Sequence, residues 1–225
     1  MTKPVIALDA DGVLLDYSTA YAGAWERAFA WHPVERDPSA YWPMDRWGVE
    51  RLSGEPLERF RACFDTAFWS TIPAIDGAIE ACHALHDAGF TLVCVSALEL
   101  HHEAARLKNL RAHGFPIERV VATGSVATAG SPKAAALAEL DPVAFVDDYL
   151  PYLLDLKAGI HTALVLRQPT GSPNVGLELS SVGSQHANLL AFSRWWLASD
   201  YSGGTSTTSA GSISAFLKPR GVNEP

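Results

Sequence analysis

The sequence predicts an α/β fold: a Rossmann-like parallel sheet with helices on both faces and a small helical insertion after the first strand. Three observations predict it. Short apolar runs recur along the chain and end in polar residues, segments with helical spacing separate them, and one stretch of about residues 17–72 breaks the alternation.

The first run, residues 5–8 (VIAL), ends in Asp9 and is followed by Asp11-Gly12, the pattern of a buried strand that delivers polar groups at its carboxyl end. The same pattern recurs at residues 90–95 (FTLVCV) before Ser96, at 120–122 before Thr123, at 143–146 (VAFV) before Asp147-Asp148, and at 162–166 (TALVL) before Arg167. Between them, Asp76 is placed to cap a helix carrying Ile79, Cys82 and Leu85, with Gly89 as its stop. A second helix is expected over about 99–113, ending at Gly114; a third carries Pro132 in its first turn with Lys133 and Leu137; a fourth runs over about 151–158. Residues 168–183 read as a loop, and a last amphipathic helix over about 184–197 lays Leu189, Leu190, Phe192, Trp195 and Trp196 on the sheet. In such a sheet, ligands gather at the carboxyl ends of the strands.

The interrupted stretch carries apolar residues at helical spacing in YAGAWERAFAW and PLERFRACFDTAFW, and five of the seven tryptophans fall in it (Trp25, Trp31, Trp42, Trp47, Trp69), which predicts a small aromatic core of its own. The expected organisation is therefore a core of residues 1–16 and 73–198, an inserted helical cap of residues 17–72, and a disordered tail of residues 199–225, where 11 of the 14 residues from 199 to 212 are Ser, Gly or Thr.

Composition narrows the function. A formal charge of -8 offers no basic footprint for nucleic-acid polymers or an anionic membrane. The first residues, MTKPVIALDADGV, lack both a signal-peptide pattern and a span of about 20 apolar residues, so the cytoplasm is the expected compartment. Cys63, Cys82 and Cys94 are widely spaced and odd in number, and are expected to be reduced, buried thiols.

The chemistry-bearing residues stand at four strand ends: Asp9 and Asp11, Ser96, the region before Lys133, and Asp147 with Asp148. Four carboxylates converging on one crevice repel one another unless a cation or raised pKa values relieve them. Hard oxygen ligands at a phosphate site select Mg²⁺. A purely structural salt-bridge network with Lys133 and Arg167 is the competing reading, and it leaves two basic residues to balance four acids.

These residues resemble a known family. Asp9-Ala10-Asp11-Gly12-Val13 is similar to the DxDGV first motif of the haloacid dehalogenase superfamily, Ser96 after VCV to its second, Lys133 to its third, and Asp147-Asp148 after VAFV to its fourth. The resemblance spans about residues 5–166, and its intervals suit a phosphatase-type member with a small helical cap between the first two motifs. It implies Asp9 as nucleophile and Asp11 as general acid and base. It implies Mg²⁺ on Asp9, the Asp11 backbone carbonyl, Asp147 and Asp148, with Ser96 and Lys133 binding the substrate phosphate. The substrate would be a small phosphorylated metabolite. Members that cleave carbon–halogen bonds lack the second carboxylate of the first motif, so Asp11 favours phosphoryl transfer. The alternatives are a phosphotransferase or phosphomutase on the same scaffold, and a non-catalytic binding protein.

Within the insertion, Tyr17, Tyr21, Trp25, Trp42, Trp47 and Arg46 are candidates for a leaving-group pocket, with cap packing as the competing role, and Asp16 sits at the expected hinge. The segment FWSTIPAIDGA is similar to the cap-to-core junction of deoxyribonucleotidases in the superfamily, which makes a nucleotide monophosphate one candidate substrate. His101, His102 and His186 are weaker candidates for contact with substrate.

Overall fold

A computed structural model of the protein describes residues 3–124 and 130–199. Six parallel strands form one sheet: β1 (Val5–Leu8), β2 (Thr91–Ser96), β3 (Ile117–Ala122), β4 (Ala144–Asp147), β5 (His161–Val165) and β6 (Ser184–His186), in the order β3-β2-β1-β4-β5-β6. β1 lies between β2 and β4, pairing Leu8 with Cys94 on one side and with Val146 on the other. The chain winds one way from β1 and the opposite way from β4, so the gap between their carboxyl ends is the switch point at which doubly wound sheets bind ligands.

Successive side chains of β1 feed opposite layers. Ile6 and Leu8 join a buried cluster with Cys82 and Leu85 of α5 (Ala78–Asp87), Leu110 of α6 (Glu103–Ala112), and Phe192 and Trp196 of α8 (Leu189–Ala198). Ala7, Val93, Val95, Phe145 and Leu164 pack on the other face against Leu137 of α7 (Ala134–Leu140), Leu150 and Leu153. Each fully buried Leu, Ile or Phe contributes about 1.5–3 kcal/mol. The predicted fold class is therefore the observed one: an all-parallel sheet covered on both faces. No described helix is long and apolar enough to cross a membrane.

Several local expectations need correction. The helix expected over 151–158 is only a 3-10 turn, Leu150–Tyr152; Leu150 and Leu153 are three apart because both reach the same core layer, and Asp155 breaks any helix with φ 56°. Residues 184–186 form edge strand β6 on β5, and α8 begins only at Leu189, where the Asn188 side chain accepts from Ala191 N at 2.8 Å. α5 is capped by Gly77, with φ 77°, rather than by Asp76. Cys82 and Cys94 are free and buried as expected, whereas free Cys63 is only half-buried. The tail expected from residue 199 lies, from residue 200 on, outside the described residues.

Residues 17–72 form α1 (Tyr17–Phe29), α2 (Pro43–Trp47), α3 (Gly54–Arg61) and α4 (Thr66–Trp69). Asp16 caps α1 by accepting from Thr19 N at 3.0 Å and Thr19 Oγ1 at 2.7 Å. Rings of Tyr21 and Trp25 meet Phe60 at centroid distances of 5.0 and 5.4 Å, and Phe64 meets Phe68 at 4.8 Å. This aromatic packing is not a separate core. Tyr21, Trp25, Phe60 and Phe68 belong to the same continuous cluster as Ile6 and Leu8, joined by Leu14, Leu15 and Ile72 in the two connections. Those connections are stitched together: Asp16 N donates to Pro73 O at 2.8 Å and Ile75 N to Leu14 O at 2.9 Å.

Candidate active site

The site is built from the ends of the two central strands. Asp9 extends β1, its amide donating to Val146 O at 2.8 Å. The chain then turns tightly, with Leu14 N and Leu15 N both donating to Ala10 O and Gly12 N to Leu15 O. Gly12 adopts φ 87°, and a Cβ there would lie 2.5 Å from Asp148 Cγ and 2.6 Å from Arg167 Nε, so only glycine admits both neighbours. Asp147 closes β4 and Asp148 follows it. Asp9, Asp147 and Asp148, all buried, each offer a carboxylate oxygen, and these oxygens lie within 4.8 Å of one another.

Lys133, the N-cap residue of α7, points back into this group: Nζ stands 2.7 Å from Asp9 Oδ1 and 2.6 Å from Asp147 Oδ2. The rings of Phe145 and Tyr152 enclose the ammonium at 5.4 and 5.0 Å. Burial works against its charge, but Asp147 and Asp9 outweigh burial and hold Lys133 above its ordinary range. Asp147 Oδ1 accepts from Tyr149 N at 2.8 Å. Asp148 pairs with Arg167, whose guanidinium stacks 4.4 Å from the Tyr41 ring centroid. The Asp148 carbonyl accepts from Asn174 Nδ2 at 2.7 Å, while Asn174 Oδ1 accepts from Leu150 N at 2.8 Å. Ser96, buried at the end of β2, has its carbonyl held by Leu98 N and Thr123 N at 2.8 and 3.0 Å.

Asp11 stands apart from the trio. Its Oδ2 accepts from Arg106 Nη2 at 2.8 Å, and Arg106, on α6, is wholly buried. Burial pushes the Asp11 carboxyl above its ordinary range, and Arg106 opposes the rise. Burial likewise raises Asp147 against the opposing pull of Lys133, and Asp148 against that of Arg167. Three cations thus face four carboxylates. Burial disfavours the ionised forms of Asp147 and Asp148, and a divalent cation bound among these carboxyls would favour ionisation again.

Beside Asp11 and Asp148 opens a cavity of about 680 Å³, lined also by Tyr17, Trp42, Arg167 and Asn188. Of the candidate aromatics, Tyr17 and Trp42 reach it; Tyr21, Trp25 and Trp47 are packed inside the insertion. Arg46 is held by Glu35 at 2.7 Å and Asp16 at 3.9 Å. His101 and His102 sit at the entry to α6, with His102 packed 5.6 Å from Trp69, and His186 shares the Ser184 hydroxyl with His161. Three residues that sequence reasoning had not singled out are prominent: Arg106, Tyr41 and Asn174. The one cheap signal for Arg106 is its place on a helix face with Leu110, four residues on.

No family model and no curated protein sequence matches the chain. Solved structures do. An L-2-haloacid dehalogenase is 18% identical with a TM-score of 0.55, the match covering 86% of this chain and 99% of that one. A predicted phosphoglycolate phosphatase from Haemophilus somnus is 15% identical with a TM-score of 0.57, covering 87% and 98%. A HAD family hydrolase from Deinococcus radiodurans, with bound phosphate and sodium, is 17% identical with a TM-score of 0.51, covering 82% and 90%. The chain therefore has the fold of haloacid-dehalogenase-type hydrolases.

Proposed function

We propose that this chain is a Mg²⁺-dependent phosphomonoester hydrolase of the haloacid dehalogenase superfamily, acting on a small phosphorylated metabolite. The observation that carries the reading is the convergence of Asp9, Asp147, Asp148 and Lys133 in one buried group, with Asp11 two residues beyond Asp9. The all-oxygen donor set, with four carboxyls facing three cations, fits a hard divalent cation held by Asp9, Asp147 and Asp148, with the Asp11 carbonyl as a further ligand. Bound there, Mg²⁺ would offset the repulsion between the Asp9 carboxylate and the anionic phosphoryl group.

In the first step an Asp9 carboxylate oxygen attacks phosphorus, the phosphorus–oxygen bond to the leaving alcohol breaks, and Asp11 supplies the proton that the alcohol carries away. In the second, water attacks the phosphorus of the aspartyl-phosphate, Asp11 takes its proton, and the bond to Asp9 breaks to release inorganic phosphate. Lys133 neutralises charge on the phosphoryl oxygens, and Ser96 supplies a hydroxyl donor to the same group. The presence of Asp11 supports phosphoryl transfer over dehalogenation, because a halide leaves without a proton.

The test is a panel of phosphomonoesters assayed with Mg²⁺ and with EDTA, alongside Asp9→Asn. Phosphate release that requires Mg²⁺ and disappears in Asp9→Asn is expected. Turnover unchanged in that variant would end the assignment.

A further inference from the structure

Arg106 is the least expected feature near the site. A guanidinium with no exposed surface, on a helix rich in polar residues, carries a heavy desolvation cost unless it is well paired. Yet its Nε and Nη1 are buried without a hydrogen-bond partner among the described residues, and only Nη2 is engaged, on Asp11 Oδ2 at 2.8 Å. Such an arrangement is poor as a stabilising device and specific as an orienting one. The converse also holds. Asp11 Oδ1 is buried without a partner, so among the described residues Arg106 alone fixes the rotation of the Asp11 carboxyl.

The guanidinium is in turn held from the insertion. Its carbon lies 5.0 Å from the ring centroid of Trp69, the last residue of α4. Three residues on, the Ile72 carbonyl accepts from Asn109 Nδ2 at 3.1 Å and lies 2.8 Å from His113 Nε2. Arg106, Asn109 and His113 share one face of α6 and its end, so this face grips the return connection while presenting Arg106 to Asp11.

We infer that Arg106, seated by Trp69, is the positioning residue that aligns Asp11 for proton transfer, an assignment that rests on the phosphohydrolase reading above. A general acid or base works only with its oxygen within about 2.6–3.2 Å of the proton's partner, and a carboxyl free to rotate spends most of its time outside that geometry.

The probe is p-nitrophenyl phosphate with Mg²⁺. Its phenolate leaves without needing a proton, so forming the aspartyl-phosphate bypasses Asp11, whereas hydrolysing it does not. In Arg106→Met and Trp69→Leu, a burst of one nitrophenolate per chain is expected at a rate within about threefold of the parent, followed by steady-state phosphate release at least about tenfold slower. Burst and steady state falling together would show a merely structural role and overturn the inference, as would no change in either. If Arg106→Met loses its cooperative unfolding transition, Trp69→Leu, which keeps the ion pair, carries the test. A parent chain that releases no nitrophenolate, or an Asp9→Asn chain as active as the parent, would instead overturn the phosphohydrolase reading and this inference with it.

Discussion

Replacing Gly12 with alanine tests how tightly the two strand ends are packed. At φ 87° a non-glycine residue carries backbone strain of about 1–2 kcal/mol. The added methyl would stand 2.5 Å from Asp148 Cγ and 2.6 Å from Arg167 Nε, roughly an ångström inside normal contact. Asp148 is buried between β4 and Gly12, so relief requires the Asp148–Arg167 pair to part, and breaking a buried pair costs about 3–5 kcal/mol when nothing replaces it. Arg167 can swing partly into the adjoining cavity, which reduces that cost. A net loss of about 3–5 kcal/mol is expected, which lowers the Tm of a chain of this size by about 6–20 °C. Thermal unfolding followed by circular dichroism, with EDTA and again with excess Mg²⁺, reads both the loss and the weaker metal response expected from a displaced Asp148. A Tm and Mg²⁺ response indistinguishable from the parent would refute the packing argument.

Lys133→Met leaves the Asp9 and Asp147 carboxylates facing each other, at an expected cost of about 3–5 kcal/mol in EDTA, smaller with saturating Mg²⁺; calorimetry that finds equal losses in both conditions would contradict the shared-cation account. Asn174→Ala strands the Leu150 amide and leaves the Asp148 carbonyl only the Tyr41 hydroxyl, at 3.3 Å, so the urea midpoint should fall by the equivalent of about 1–3 kcal/mol. Burial lowers His161 and His186 below the ordinary value of about 6.5, with their mutual repulsion adding to the effect at His186. The stability of their neutral forms is complete above that value and lost as pH falls through the lower folded pKa. From about pH 7 to about pH 5, His161→Gln/His186→Gln should therefore lose less stability than the parent; an equal loss would contradict the assignment.

The readable strands were those with neighbours on both sides. β1, β2, β4 and the second half of β5 are buried on both faces, so they appear as apolar runs ended by the polar residues they deliver. The edges were harder. β3 exposes Glu118 and Arg119, which hid its first half, and β6 is only Ser-Gln-His, with nothing apolar to mark it. Asp9, Asp147, Asp148 and Lys133 were legible because their residue types stand at strand ends and at a helix start that the topology brings together. Arg106 was not, since its partner is 95 residues away and its neighbours Lys108 and Arg111 look the same in sequence. Tyr41 and Asn174 act through a ring face and a backbone carbonyl, contacts that leave no sequence pattern.

The energetic logic of the site lies in its charge. Lys133 bridges two carboxylates, and Arg167 and Arg106 each hold one, so three cations serve four clustered carboxyls. Under the proposed function, a divalent cation would give the carboxylates a stronger partner than the bridging lysine, and that lysine would then meet a phosphoryl group drawn to Asp9.

The central claim is that Asp9 carries the phosphoryl group. Rapid acid quench of the chain turning over p-nitrophenyl phosphate with Mg²⁺, followed by intact-mass and peptide mass spectrometry, measures it directly. The account predicts one phosphoryl group per chain, on Asp9, absent from Asp9→Asn. Steady release of phosphate from a chain that never carries the label, or a label on another residue, would contradict it.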